Sequence, residues 1–154
     1  MAAPPTEQQV QEELARLDAY RSQLNAMLQQ LQYLSASRAE HLRAREALDG
    51  LERLHADGEI LVPLGGDTFV RGTPIKDSPV LVGVGSGVVV EMDRAQVTEV
   101  LTERMTKIEQ AATDLEGQAR ALDERIQLLS RRLESLSQGG PGRDALAPED
   151  VGGD

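Results

Sequence analysis

From Val10 the apolar residues Leu14, Leu17, Leu24, Leu28 and Leu31 recur in steps of four, three, seven, four and three. These are heptad steps, which keep an apolar stripe on one face of a helix and turn it toward a partner helix. The stripe continues through Leu34, Leu42, Leu48 and Leu51 with a drifting phase, and such a slip changes the supercoil locally. A second stripe is more regular: Val97, Leu101, Met105, Ile108, Ala112, Leu115, Ala119, Leu122, Ile126, Leu129, Leu133 and Leu136. Between the two runs, Glu59 to Met92 changes character. Its apolar residues are mostly β-branched and its punctuation is Gly, Asp, Ser and Pro, the pattern of short strands and turns. The expected organisation is a leader over 1–5, a helix over 6–57, two β-hairpins within 59–92, a helix over 94–137 and a tail over 139–154.

Local signals fix the ends of these elements. Thr6 with Gln9, and Asp93 with Gln96, have the spacing of reciprocal N-terminal capping boxes. Asp57-Gly58 ends the first helix, with Gly58 suited to a left-handed position after the last turn. The first hairpin is read as Glu59–Leu64 and Asp67–Arg71 around Gly65-Gly66. The second is read as Pro79–Val84 and Val88–Met92 around Gly85-Ser86-Gly87. About fifty helical residues at about 1.5 Å each make a rod of roughly 75 Å. The leader and the acidic tail, rich in Gly, Pro and Asp, bury too little to fold and are expected to be disordered.

The two stripes fit an antiparallel pair. If the chain reverses at the hairpins, facing residues have position numbers with a constant sum, which Asp57 and Asp93 set at 150. Leu14 then faces Leu136, Leu17 faces Leu133, Leu24 faces Ile126, Leu28 faces Leu122 and Leu42 faces Ile108. The same register sets Gly117 opposite Tyr33, as if the glycine made room for the ring. The fold class is therefore α+β, mainly α: a long antiparallel two-helix coiled coil joined by two β-hairpins. Isolated hairpins are unstable in water and have open edges. Copies or relatives of this element are expected to complete a sheet or barrel between subunits, through Ile60, Val62, Leu64, Phe69, Val70, Val80, Val82, Val84, Val88 and Val90.

Composition narrows the function. The chain has 154 residues, a formal net charge of −10, no cysteine, and Phe69, Tyr20 and Tyr33 as its only aromatic residues. So few rings suit long paired helices better than a globular core. The absence of thiols excludes disulfides, thiolate metal sites and a cysteine nucleophile. An acidic chain without a basic block repels nucleic acid and anionic membrane surfaces. No apolar run is long enough to span a bilayer, and MAAPPTEQQ has no signal-peptide pattern, so a cytoplasmic location is expected.

No catalytic, cofactor or metal site is expected. His41 and His55 are the only histidines and are not clustered. Gly83-Val84-Gly85-Ser86-Gly87 runs into Val88, Val89 and Val90 rather than into a helix, so it reads as a hairpin turn and not as a phosphate loop. Ser86 lacks the context of a nucleophile. The surface of interest is the free end of the coiled coil, where Val10, Leu14, Leu17, Leu129, Leu133 and Leu136 form the seam. Fraying there can offer apolar surface to another chain, and Leu128, beside the seam, is placed to face outward.

The words VPLGGDTFVRG (Val62 to Gly72) and VLVGVGSGVVVEMD (Val80 to Asp93), with the region of Tyr20, Leu24 and Leu28, resemble the alpha class of the prefoldin family from about Thr6 to Leu136. The two-hairpin connection is its specific part, since the beta class has one. The tail departs from the family pattern in lacking an extended apolar end. The resemblance implies a heterohexamer of two alpha and four beta subunits. Its hairpins form a double β-barrel body, and its coiled-coil tips capture unfolded client proteins without ATP and deliver them to a group II chaperonin. The competing reading is a scaffolding or adaptor subunit that assembles through its hairpins without binding clients.

Overall fold

The computed structural model describes residues 6–138. In chain order its elements are α1 (Glu7–Arg53), β1 (Ile60–Gly65), β2 (Thr68–Gly72), β3 (Val80–Gly85), β4 (Val88–Met92) and α2 (Arg94–Gln138). The leader and the tail lie outside the described residues. The described residues form two compact units, one from 6–28 with 117–138, the other from Gln29–Glu116.

Both helices start on reciprocal caps. Thr6 N donates to Gln9 Oε1 (3.0 Å) and Gln9 N to Thr6 Oγ1 (3.4 Å). Asp93 N donates to Gln96 Oε1 (3.1 Å) and Gln96 N to Asp93 Oδ1 (2.8 Å). Each box satisfies backbone N–H groups that have no partner within the helix. Helix α1 ends at Arg53, four residues before the expected position. The chain turns there through Leu54 N to Leu51 O and Gly58 N to His55 O. Gly58 is not among the residues with positive φ. Its glycine is required by space instead, because a Cβ would lie 2.3 Å from Leu54 Cγ and 3.0 Å from the His55 carbonyl oxygen.

In the helix-end unit, Leu17 is buried with Leu122 and Ile126, and Tyr20, Leu24, Met27, Leu129 and Leu133 pack around them. Arg132 reaches Glu13 at 3.3 Å. In the hairpin unit, Arg38 Nε donates to Glu109 Oε1 at 2.6 Å. Both ion pairs join α1 to α2 as antiparallel neighbours, each three to five residues away from the pairing expected from a position sum of 150. Gly117 does not make room for a ring. Tyr33 is 73% exposed, and a Cβ at Gly117 would meet nothing within 4 Å. Gly117→Ala is therefore expected to stabilise the chain by about 1 kcal/mol, from helix propensity alone, read as a higher midpoint in thermal unfolding. Gly58→Ala is expected to lower that midpoint.

The hairpins are an internal repeat at an offset of twenty residues. Leu61, Val62, Gly65 and Val70 match Leu81, Val82, Gly85 and Val90, and both ladders slip at the same place, between Pro63 and Gly65 and between Gly83 and Gly85. The first turn is centred one residue later than expected. Gly66 and Asp67 both have φ 55°, while Gly65, at φ 100°, ends β1 as the irregular residue. Two loop residues with positive φ make the hairpin turn whose twist matches the strands, and Asp tolerates that conformation. Ser86 (φ 52°) and Gly87 (φ 77°) do the same after Gly85 (φ 107°).

Candidate interaction surfaces

Strand alternation gives each hairpin two faces. Val62 pairs with Val70, and Ile60 with Gly72, so Ile60, Val62, Leu64 and Val70 share one face while Leu61, Pro63, Phe69 and Arg71 share the other. In the second hairpin Val80, Val82, Val84, Val88, Val90 and Met92 share the corresponding face. The two copies of that face meet different fates. Val82 is 5% exposed and packs with Leu48, Val97 and Leu101, joined by Val80, Met92 and Val100. Its repeat partner Val62 is 39% exposed, and no described element covers it. Val80 and Val82 thus anchor the second hairpin to its own helices. Arg104 on α2 adds a hydrogen bond from Nη2 to the Gly83 carbonyl (2.8 Å).

The remaining hairpin positions are open. Ile60 is half-buried, while Leu64, Phe69, Val70, Val84, Val88 and Val90 are exposed. Leu61, Leu81 and Val89, which lie outside the expected set, are exposed as well. Their signal was the unbroken apolar runs ILV, VLV and VVV. Continuous apolar strands are buried on both faces in finished folds. The strand edges are equally open, and salt bridges are sparse: Arg71 pairs with Glu59 at 3.0 Å on the surface.

At the helix ends the seam residues separate. Leu17 is buried, and Leu129 and Leu133 pack against it in the core. Val10 and Leu136 are half-buried and line a hollow of about 170 Å³ with Glu13 and Arg132. Glu13 Oε2 has no hydrogen-bond partner there. Leu14 is 47% and Leu128 66% exposed, so these two present apolar surface outright.

The remaining polar groups make local contacts. His41 Nδ1 lies 2.7 Å from the Ser37 carbonyl oxygen, which can only accept, so Nδ1 carries the proton. His55 lines a hollow of about 620 Å³ with Lys76, Asp77, Ser78 and Arg94. Among the described residues no group of three or more His, Cys, Asp or Glu could hold a metal, and no helix is long and apolar enough to cross a membrane. Lys107, 2.7 Å from Glu103, holds that exposed carboxyl below its ordinary range by a hydrogen bond and then by its charge.

Comparison with known proteins agrees with this geometry. A family model described as prefoldin subunit matches residues 6–139. The prefoldin subunit alpha of Methanoculleus marisnigri is 34% identical over 123 residues, 80% of this chain and 82% of the relative. That of Pyrococcus horikoshii is 29% identical over 118 residues, 76% and 80% of the two chains. Among solved structures, filamentous PFD from Methanocaldococcus jannaschii aligns with a TM-score of 0.66 at 22% identity, over 79% of this chain and 98% of that one. The prefoldin beta subunit of Thermococcus strain KS-1 aligns with a TM-score of 0.56 at 23% identity, over 92% and 100%. At these identities the solved structures share the fold.

Proposed function

We propose, since the chain belongs to the prefoldin family of chaperone subunits, that it is the alpha subunit of an ATP-independent holdase. It joins beta-class subunits through its hairpins, as a heterohexamer of two alpha and four beta subunits, and its helix ends hold unfolded proteins for a group II chaperonin. The cytoplasm is the compartment this activity requires. The observation that carries the assembly step is the unequal fate of the repeated hairpins. Val82 is docked on Leu48, Val97 and Leu101, whereas its repeat partner Val62 in β1–β2 is left exposed. Fully burying one Val or Leu side chain contributes about 1.5–3 kcal/mol, so Val62, Leu64 and Val70 together favour a partner by several kcal/mol.

Client holding rests on Leu14 and Leu128, with Val10 and Leu136 at the rim. Each such contact is weak. Several subunits acting on one unfolded chain multiply the weak contacts into useful affinity, and an acidic exterior keeps apolar helix ends soluble. No step in this scheme needs a bound nucleotide. The complex with a beta-class partner should suppress the aggregation of a chemically unfolded client in a light-scattering assay, equally with and without ATP. Aggregation unaffected by the complex would remove the holdase reading.

A further inference from the structure

Every strand of a two-stranded hairpin is an edge, and alternate residues along it aim their N–H and C=O away from the partner strand. Pro63 identifies which ones. It has no N–H to give, yet it sits in the ladder opposite Phe69, which fits a residue whose backbone groups face outward. Its repeat partner is Gly83, opposite Val89 at the corresponding position. The Gly83 carbonyl accepts from Arg104 Nη2 at 2.8 Å. The same edge position is thus blunted twice, by a missing donor on β1 and by an occupied acceptor on β3.

We infer that β2 and β4 are the edges through which the hairpins first recruit a strand of another subunit, and that Arg104 withholds the β3 edge until it is displaced. The occupant is a hairpin strand of a second prefoldin-type chain, so the inference rests on the assembly reading above. Phe69 and Val89, opposite Pro63 and Gly83, present their backbone N–H and C=O outward on the two open edges. An incoming strand can bond there without displacing any side chain. On β3 it must first displace a guanidinium, and on β1 it finds one donor fewer.

Proline scanning of the full-length chain tests the assignment, because proline is already tolerated at the outward position of β1. Val89→Pro should weaken binding to a beta-class partner by about tenfold or more, the loss of an outward donor and its neighbouring bonds, with Val89→Ala as the control for the side chain. Gly83→Pro should change binding by less than about twofold. Arg104→Gln, which keeps a polar side chain but not its reach, should shift self-association of the chain, followed by sedimentation, to about tenfold lower concentration. Equal effects of the two prolines, or unchanged or weaker self-association of Arg104→Gln, would overturn the edge assignment. Val62→Glu with Leu64→Glu separates the two levels. If that variant still assembles, the hairpin reading itself fails; if it does not, a failed proline comparison counts against the edges alone.

Discussion

Val62→Glu combined with Leu64→Glu leaves a folded chain that no longer joins its partner subunits. Both positions lie on the bare face of the first hairpin, and both side chains are exposed in the free chain. Two carboxylates there remain in water, so the far-UV circular dichroism and the thermal midpoint of the isolated chain should be almost unchanged. In an assembly that covers this face, each carboxylate loses its water without a counter-charge, at a cost of several kcal/mol. Two of them raise the dissociation constant by more than about a thousandfold. The same pair of changes on the second hairpin gives a different result. Val82→Glu would place a charge against Leu48, Val97 and Leu101, and would unfold the hairpin from its own helices. Interface loss with folding intact is therefore specific to β1–β2, and calorimetry beside a binding titration distinguishes the two outcomes.

The second large effect is expected at the helix ends. Leu14→Asp with Leu128→Asp should abolish suppression of client aggregation, by at least about tenfold in the concentration required, while the complex keeps its mass. The two leucines are the exposed members of the helix-end set. Their replacement removes apolar contact without opening the core around Leu17, Leu122 and Ile126. Because holding depends on several such ends acting together, a modest loss per contact is multiplied across the complex. Leu122→Ala is the contrasting variant. It removes a buried side chain and should cost about 2–5 kcal/mol of stability, seen as a lower thermal midpoint rather than as a selective loss of client holding.

The heptad steps were sufficient to read both helices, and the Thr6/Gln9 and Asp93/Gln96 spacings located their starts, because these signals are local. Signals that depend on tertiary packing were not legible. Val62 and Val82 have nearly the same neighbours along the chain, so nothing local tells which is docked; only the helix surface formed by Leu48, Val97 and Leu101 does. Leu14 and Leu17 belong to the same stripe, yet one is exposed and the other is buried with Leu122 and Ile126, a difference set by the facing helix and not by the spacing. Gly58 looked like a left-handed cap and is instead a close approach to Leu54. Gly117 looked like a recess for Tyr33 and has open space around it. The first turn moved by one residue because Asp67 takes the positive φ that a second glycine was expected to supply.

The central claim is that the bare hairpin surface is an assembly surface for related subunits. The most direct measurement is the mass of the full-length chain by light scattering during size-exclusion chromatography, alone and mixed with a beta-class prefoldin subunit. A single mixed species with the mass of two copies of this chain and four of the partner is the predicted result. A chain that elutes as the same monomer with and without the partner would contradict the account.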